Sequence, residues 1–342
     1  MNALPLVFVI VINYNGAKYL KTCLSSLEQQ TYPNYKIVVF DNASTDNSVD
    51  FIQQNFPNIR IIQAEKNFGF AEGNNLAMKF ALDHNASYIF LVNNDTEAKI
   101  DLVEKLVNSA ESDDSIGILG PSVFALQNKY LIQERGVSID RFGYPLAIKG
   151  KSLNDDRVFF VSGCAMLIKA ELIRKIGLFD KKYFMFAEDL DLCWRAQLAG
   201  YKIIVNEKAI IFHASGGSIS GGVIKAASYK TDVRRVFLRE KNTIRTLIKN
   251  YNTYNMVTTV SFYVALLFFE CFLWIFLLKP NTAKNIIKAI FWNMYFLPET
   301  FNQRANIQSI RKLNDHNIIG KMVHGYSKLN IFRSIGVPNF EK

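Results

Sequence analysis

Apolar and polar positions in the first half of the chain alternate between two periods. Leu6 to Ile12 (LVFVIVI) is an unbroken apolar run rich in β-branched residues, as in a strand buried on both faces. Lys18 to Gln30 repeats its leucines at helical spacing through Leu20, Leu24 and Leu27. Tyr35 to Phe40, Ile59 to Gln63 and Ser87 to Val92 predict further strands. A helix capped by Asp46 and running toward Asn55, and another over Ala71 to His84, fall between them. Strands joined through helices by short connections predict βαβ units and an α/β layer architecture with parallel strands. Ligands of such sheets sit beyond the carboxyl ends of the strands. The residues there are polar: Asn13, Tyr14, Asn15 and Gly16 after the first strand, Asp41 and Asn42 after the second, Asn93, Asn94 and Asp95 after the fourth. Any one of these loops fits plain turn chemistry. Three on one sheet edge point to a site.

The second half changes style. Phe159 to Ile168 predicts a strand with small residues at its centre, and Ala170 to Ile176 a short helix. A helix begins near Glu188. Lys202 to Val205 and Ala209 to Phe212 predict short strands, followed by His213 to Ser218 (HASGGS). Val257 to Leu278 is apolar apart from Glu270 and some hydroxyl residues, and Lys279 and Pro280 stop it. Such a run is long enough to cross a hydrocarbon core of about 30 Å. A shorter amphipathic run, Ile286 to Leu297, follows.

Composition narrows the classes. With 342 residues, 49% apolar and 20% charged, the chain is too apolar to be disordered over most of its length and fits one large or two ordinary domains. Cys23, Cys164, Cys193 and Cys271 form no CxxC pair and predict buried thiols in a reducing compartment. No basic segment precedes the N-terminal apolar run, so no cleaved signal peptide is expected. The net charge of +10 is uneven: residues 1–224 hold 22 Lys+Arg against 24 Asp+Glu, a net of −2, and residues 225–342 hold 18 against 6, a net of +12. That tail predicts an anionic partner, either membrane headgroups or nucleic acid. Its aromatics do not interleave with its basic residues, which disfavours a nucleic-acid stacking platform. Basic residues flank the long apolar run on both sides: Arg234, Arg235, Arg239, Lys241, Arg245 and Lys249 before it, Lys279, Lys284 and Lys288 after it. Both flanks therefore prefer the cytoplasm, and Glu270 is costly in hydrocarbon. A re-entrant, interfacial or hairpin arrangement is favoured over one crossing. The expected division is a catalytic domain over 1–250 and a membrane-associating helical tail over 251–342.

The segments VINYNG, FDNASTDNS, KNFGFAEGNN, FLVNND, VSGCAMLIK, FMFAEDLDLCWR and FHASGGS, in this order, resemble the family 2 glycosyltransferases of GT-A fold, and most of all rhamnosyltransferase-type members acting on lipid-linked acceptors. The resemblance runs from about Leu6 to about Asn250. It implies a Rossmann-like mixed sheet flanked by helices that binds a nucleotide sugar. It implies that Asp41 accepts from the nucleotide base or ribose and that Tyr14 stacks on the base. Gly69, Gly73 and Asn74 would serve the diphosphate at a helix N-terminus. Where the family carries two carboxylates for its metal, FLVNND keeps one: Asp95 would hold Mg²⁺ or Mn²⁺ together with phosphate oxygens, Asn93 would help with sugar or ribose, and His213 would be a second ligand. Gly163, beside Cys164, would floor the sugar site. Asp189 would be the general base and Glu188 its orienting partner or an acceptor contact, while Asp191 and Arg195 read as an i,i+4 helix pair.

The activity implied is inverting transfer of a sugar to a polyprenyl-diphosphate-linked or glycan acceptor in cell-surface glycan synthesis, at the cytoplasmic face of the membrane. The first expectation is rhamnose from a dTDP donor; the alternative is galactofuranose or an N-acetylhexosamine from UDP. Two other classes are weighed against it. One is a nucleotide-sensing module with a nucleic-acid-binding tail. The other is a nucleotidyltransferase, whose glycine- and arginine-rich phosphate loop VINYNG lacks.

Overall fold

The structure, a computed structural model, describes residues 3–150, 157–214, 224–225, 228–335 and 339–341. The SGGS of the HASGGS segment lies outside them. The chain forms two compact units: Met1–Val137 with Ala147–Gln197 and Tyr201–Ser218, and Ser138–Leu146 with Leu198–Gly200 and Ile219–Lys342.

The first unit opens with β1 (Val7–Asn13), α1 (Ala17–Glu28), β2 (Tyr35–Asp41), α2 (Ser48–Asn55), β3 (Arg60–Gln63), α3 (Gly69–Asp83) and β4 (Tyr88–Asn93). It continues through β5 (Thr96–Ala98), α4 (Leu102–Glu111), β6 (Ile116–Ala125) and β7 (Asn128–Glu134). The short strands β8 (Val137–Ile139) and β9 (Pro145–Ala147) pair with each other; then come β10 (Ala165–Lys169), α5 (Ala170–Ile176), α6 (Glu188–Leu198) and β11 (Lys202–His213). Among the described residues the main sheet has nine strands in the order β3-β2-β1-β4-β10-β6-β11-β5, with β7 paired to β6. The first four strands run parallel, as their helical connections require. β10 enters antiparallel between β4 and β6, so the sheet is mixed. This is the GT-A arrangement expected from the resemblance.

β1 shows why its run is unbroken. Val7, Val9 and Val11 face a core completed by Leu20, Cys23, Leu24 and Leu27 of α1, while Phe8 on the other face packs edge-on to Phe80 of α3. Both faces are covered, so both sets must be apolar. Two expectations change. The strand predicted over Phe159 to Ile168 begins only at Ala165, because Ser162 to Cys164 turn the chain, with Ala165 N donating to Ser162 O. Lys202 to Phe212 is one strand, not two, with a bulge between Asn206 and Ile210 in its pairing with β6.

The second unit is helical: α7 (Val233–Asn250), α8 (Thr253–Phe276), α9 (Pro280–Tyr295), α10 (Leu297–Ser309), α11 (Asp315–Ile319) and α12 (Ser327–Ile335). A small sheet joins β12 (Ile224–Lys225), β13 (Ser228–Asp232) and β14 (Asn339–Glu341). The basic flank before the apolar run is not a solvated stripe throughout. Lys241, Arg245 and Lys249 of α7 are buried. The Lys241 ammonium stands 4.6 Å above Trp292, and Arg245 donates to Thr300 Oγ1 at 2.6 Å and pairs with Glu299 at 3.2 Å. Glu270 does not face lipid either. It pairs with Lys328 at 2.6 Å and accepts from Tyr326 Oη at 2.6 Å, and Lys328 also pairs with Glu240 at 3.0 Å.

Candidate active site

The carboxyl ends of β1, β2 and β4 bring their polar loops together. Asn13 Nδ2 donates to Asp41 Oδ1 at 2.9 Å, and Asn94 Nδ2 donates to Asn13 Oδ1 at 2.7 Å, so one buried asparagine ties the three strand ends. Asp41 also accepts from Ser44 N at 2.9 Å and Ser44 Oγ at 2.6 Å, the bonds of a turn-capping carboxylate. Tyr14 is half-buried in the first loop. Gly16 is obligatory there, since a Cβ would stand 1.9 Å from Asn94 Nδ2.

The α3 glycines each have a packing or capping contact of their own. Gly69 has φ +79, and a Cβ would stand 2.6 Å from the Phe184 carbonyl oxygen. That oxygen accepts from Phe70 N at 2.6 Å and Ala71 N at 3.1 Å, capping α3. A Cβ on Gly73 would meet Ile12 at 2.7 Å, so it is a helix–sheet packing glycine. Asn74 is buried and donates to Phe70 O within the helix at 2.9 Å.

Two other expected residues do meet. Asp95, past β4, and His213, ending β11, lie 3.2 Å apart, Oδ1 to Nε2. Gln133 of β7 grips His213 from behind: its Nε2 donates to His213 O at 2.9 Å, which turns its Oε1 toward His213 Nδ1 at 3.3 Å. An amide oxygen only accepts, so Nδ1 donates to Gln133 and Nε2 is left to face Asp95. A carboxylate oxygen and a ring nitrogen this close share a proton or a metal ion. Cis ligands of an octahedral Mg²⁺-sized ion stand about 3 Å apart. Asn93 Oδ1 is buried nearby in sequence with no hydrogen-bond partner among the described residues. Oxygen and imidazole donors fit Mg²⁺ or Mn²⁺. Among the described residues no group of three or more candidate ligands occurs, so such an ion would need oxygens from a bound phosphate.

The acids before α6 form the other half. Asp189 Oδ2 accepts from Gly163 N at 3.1 Å, which explains the small residue in VSGCAM: a Cβ would stand 3.0 Å from the Phe70 ring. Burial raises the Asp189 carboxyl, and the Gly163 and Leu190 N–H groups partly offset it. Glu188 is pushed well above the carboxylate range by burial and then by the Asp189 charge, and its Oε2 has no hydrogen-bond partner among the described residues. The preceding loop is strained: Phe184, Phe186 and Ala187 all have φ between 64 and 74. Arg195 Nε donates to Asp191 at 2.9 Å, and its two other nitrogens bond the carbonyls of Ile176 and Leu178 at 2.7 and 2.8 Å, so this pair is a buried brace.

Sequence reading missed β7. Its last residue, Glu134, bonds Ser162, and its carboxyl is raised by burial and by the Asp189 charge, against the bond to Ser162 and the charge on His213. The Cys164 thiol links the halves. Burial pushes it up, and the charges of Glu134, Asp95 and Asp189 add to the effect. The Cys164 backbone oxygen accepts from Asn93 N at 2.9 Å, and the Gly163 N–H beside it donates to Asp189.

A loop-end asparagine network, one carboxylate–imidazole pair and one acid on a backbone N–H make a polar edge suited to a nucleotide sugar. The glycosyl transferase family 2 model matches residues 8–177. The chain belongs to that family. This glycosyltransferase is 25% identical over 229 residues to the N-acetylglucosaminyl-diphospho-decaprenol L-rhamnosyltransferase of Mycobacterium tuberculosis, covering 60% of this chain and 75% of that one. Its structure resembles GalNAc-T7 solved with UDP, GalNAc and Mn²⁺, at TM-score 0.57 and 17% identity, over 74% of this chain; the match spans 49%, about half, of GalNAc-T7. It also resembles the mannosyltransferase PcManGT of Pyrobaculum calidifontis solved with GDP-Man and Mn²⁺, at TM-score 0.51 and 16% identity, over 90% of this chain and 86% of that one.

Proposed function

We propose that this glycosyltransferase moves a sugar, rhamnose in the first instance, from a nucleotide diphosphate donor to a lipid-linked or glycan acceptor, with inversion at C1. The observation that carries the reading is the Ser162–Cys164 turn, where Cys164 O accepts from Asn93 N at 2.9 Å and Gly163 N donates to the half-buried Asp189 at 3.1 Å, so Asp189 and the loop carrying Asp95 bond to one short segment. Asp189 accepts the proton of the acceptor hydroxyl as that oxygen attacks, and burial, which raises its affinity for the proton, makes it a stronger base. Burial and the Asp189 charge favour the protonated form of Glu188, which spares Asp189 a second negative neighbour. Asp95 and His213 would hold a divalent ion, which would supply positive charge to balance the leaving diphosphate. Tyr14 and Asp41 hold base and ribose, Asn93 the sugar or ribose, and Gly163 floors the sugar. Phosphate reaching Gly69, Gly73 and Asn74 at the start of α3 requires the Phe184 carbonyl to withdraw from Phe70 N and Ala71 N.

The decaprenol-linked substrate in the name of the mycobacterial relative supports a polyprenyl-diphosphate acceptor. Residues 1–250 are proposed as the catalytic part and 251–342 as the membrane-associating part. A membrane partner and the cytoplasmic face follow, since nucleotide sugars are cytosolic. A panel of dTDP-, UDP- and GDP-sugars tested for thermal stabilisation with Mn²⁺ identifies the donor, because a bound ligand raises melting by mass action. Stabilisation by dTDP-rhamnose above the others is expected. Stabilisation by none of them overturns the donor reading.

A further inference from the structure

α8 has two faces of different kinds. Thr259, Tyr263, Leu267, Glu270, Cys271 and Trp274 recur three to four residues apart and are buried against neighbouring helices, α7 and α9 among them. The opposite face carries Phe262, Phe268, Phe269, Phe272, Ile275 and Phe276, all more than half exposed, and Phe276 is 77% exposed. No charged residue lies on that outer face; the single charge of the helix, Glu270, points inward to Lys328 and Tyr326. An aromatic face of this size is not left to water on a soluble monomer.

The same packing argues against a crossing. Tyr263 on the inner face donates to Glu240 of α7 at 2.5 Å, and Lys328 of α12 bridges Glu240 and Glu270. Carrying α8 through hydrocarbon would take this charged network and the basic α7 with it, at a cost for each charge. α9, which packs on α8, exposes Lys284 and Lys288 and then Phe291 at 63% exposure, so the helix next to the aromatic face carries cations suited to anionic headgroups. With its inner face held to α7, α9 and Lys328, α8 can offer a bilayer only its outer aromatic face, which lays the helix in the membrane plane.

The geometry points to α8 lying flat in one leaflet of an anionic bilayer, with its Phe262–Phe276 face immersed, its Glu270 face turned to the protein and Lys284 and Lys288 among the headgroups. This deepens the membrane reading of the tail and rests on it. The full chain is floated with phosphatidylcholine vesicles, with and without phosphatidylglycerol. Binding is expected, stronger with the anionic lipid, and weaker by at least about tenfold in the F269S/F272S/F276S variant. K284Q/K288Q should erase the preference for anionic lipid. Tyr254→Cys, in the first turn of α8, and Lys284→Cys, near the start of α9 beyond its other end, are then labelled on bound protein by a membrane-impermeant maleimide. Equal labelling of both from outside supports the in-plane helix. Labelling of one only, until detergent is added, means a crossing and overturns it. No flotation, with a dimer in solution that the triple serine variant dissolves, assigns the face to a second copy and also overturns it. Sugar transfer to a water-soluble acceptor analogue should be unchanged in the triple variant, so loss of flotation and failure of the transferase reading register separately.

Discussion

Asp95 Oδ1 and His213 Nε2 stand 3.2 Å apart although 118 positions separate them in the chain; β5 and β11 pair antiparallel with His213 opposite Thr96, and that register delivers the imidazole to the carboxylate. A carboxylate oxygen and a ring nitrogen so placed can share a cation. Asp95→Ala should leave a low residual transfer rate that no longer responds to added Mn²⁺ or Mg²⁺. Full activity of the native enzyme in chelator would contradict a metal role for the pair.

Gln133 holds His213 at Nδ1 and at its backbone oxygen. Groups behind a metal ligand typically change affinity by about 10–100-fold when removed. Gln133→Leu should raise the Mn²⁺ concentration for half-maximal activity by roughly tenfold or more with little loss of saturated rate, and Gln133→Glu, which keeps the acceptor, should lose less. The same shift should appear in direct Mn²⁺ binding followed by electron paramagnetic resonance.

Burial and the neighbouring Asp189 charge raise the Glu188 carboxyl. A carboxyl that holds its proton more tightly folded than unfolded supplies stability at low pH, and that stability is lost as pH rises through the folded value. Glu188→Gln should therefore melt higher than the native chain, with a gain that grows from acidic to alkaline pH. A gain that shrinks with rising pH would mean Glu188 is ionised and stabilising.

Lys328 is the cation between Glu240 and Glu270. Removing one member of a buried ionic cluster costs about 3–5 kcal/mol because uncompensated charge remains. Lys328→Met should lower the denaturation midpoint accordingly, and adding Glu240→Gln and Glu270→Gln should recover much of the loss.

The strands from β1 to β4 are legible because burial on both faces forces continuous apolar runs, and the loops after them because polar residues there have no core role. β7 (NKYLIQE) is not legible: its first four residues are exposed, so no alternation marks the strand. Gln133 and Glu134 matter through His213 and Ser162, contacts set by pairing with β6 and not by local spacing. Asp189 and Glu188 stand out in sequence, but the Gly163 N–H that seats Asp189 is 26 residues away. KNFGFAEGNN fits an open phosphate loop equally well, and only the structure shows Phe184 seated on it. The charge of the tail counts toward a surface in sequence, whereas Lys241, Arg245 and Lys249 are spent inside it.

The role proposed for Asp189, taking the acceptor proton, is read by single-turnover kinetics of Asp189→Asn with donor bound. Asparagine can still accept from Gly163 N–H, so the donor should bind as before, as read by its thermal stabilisation. The transfer step should slow by at least about a hundredfold, the low end for a general base. An unchanged transfer rate with normal donor binding would contradict the account.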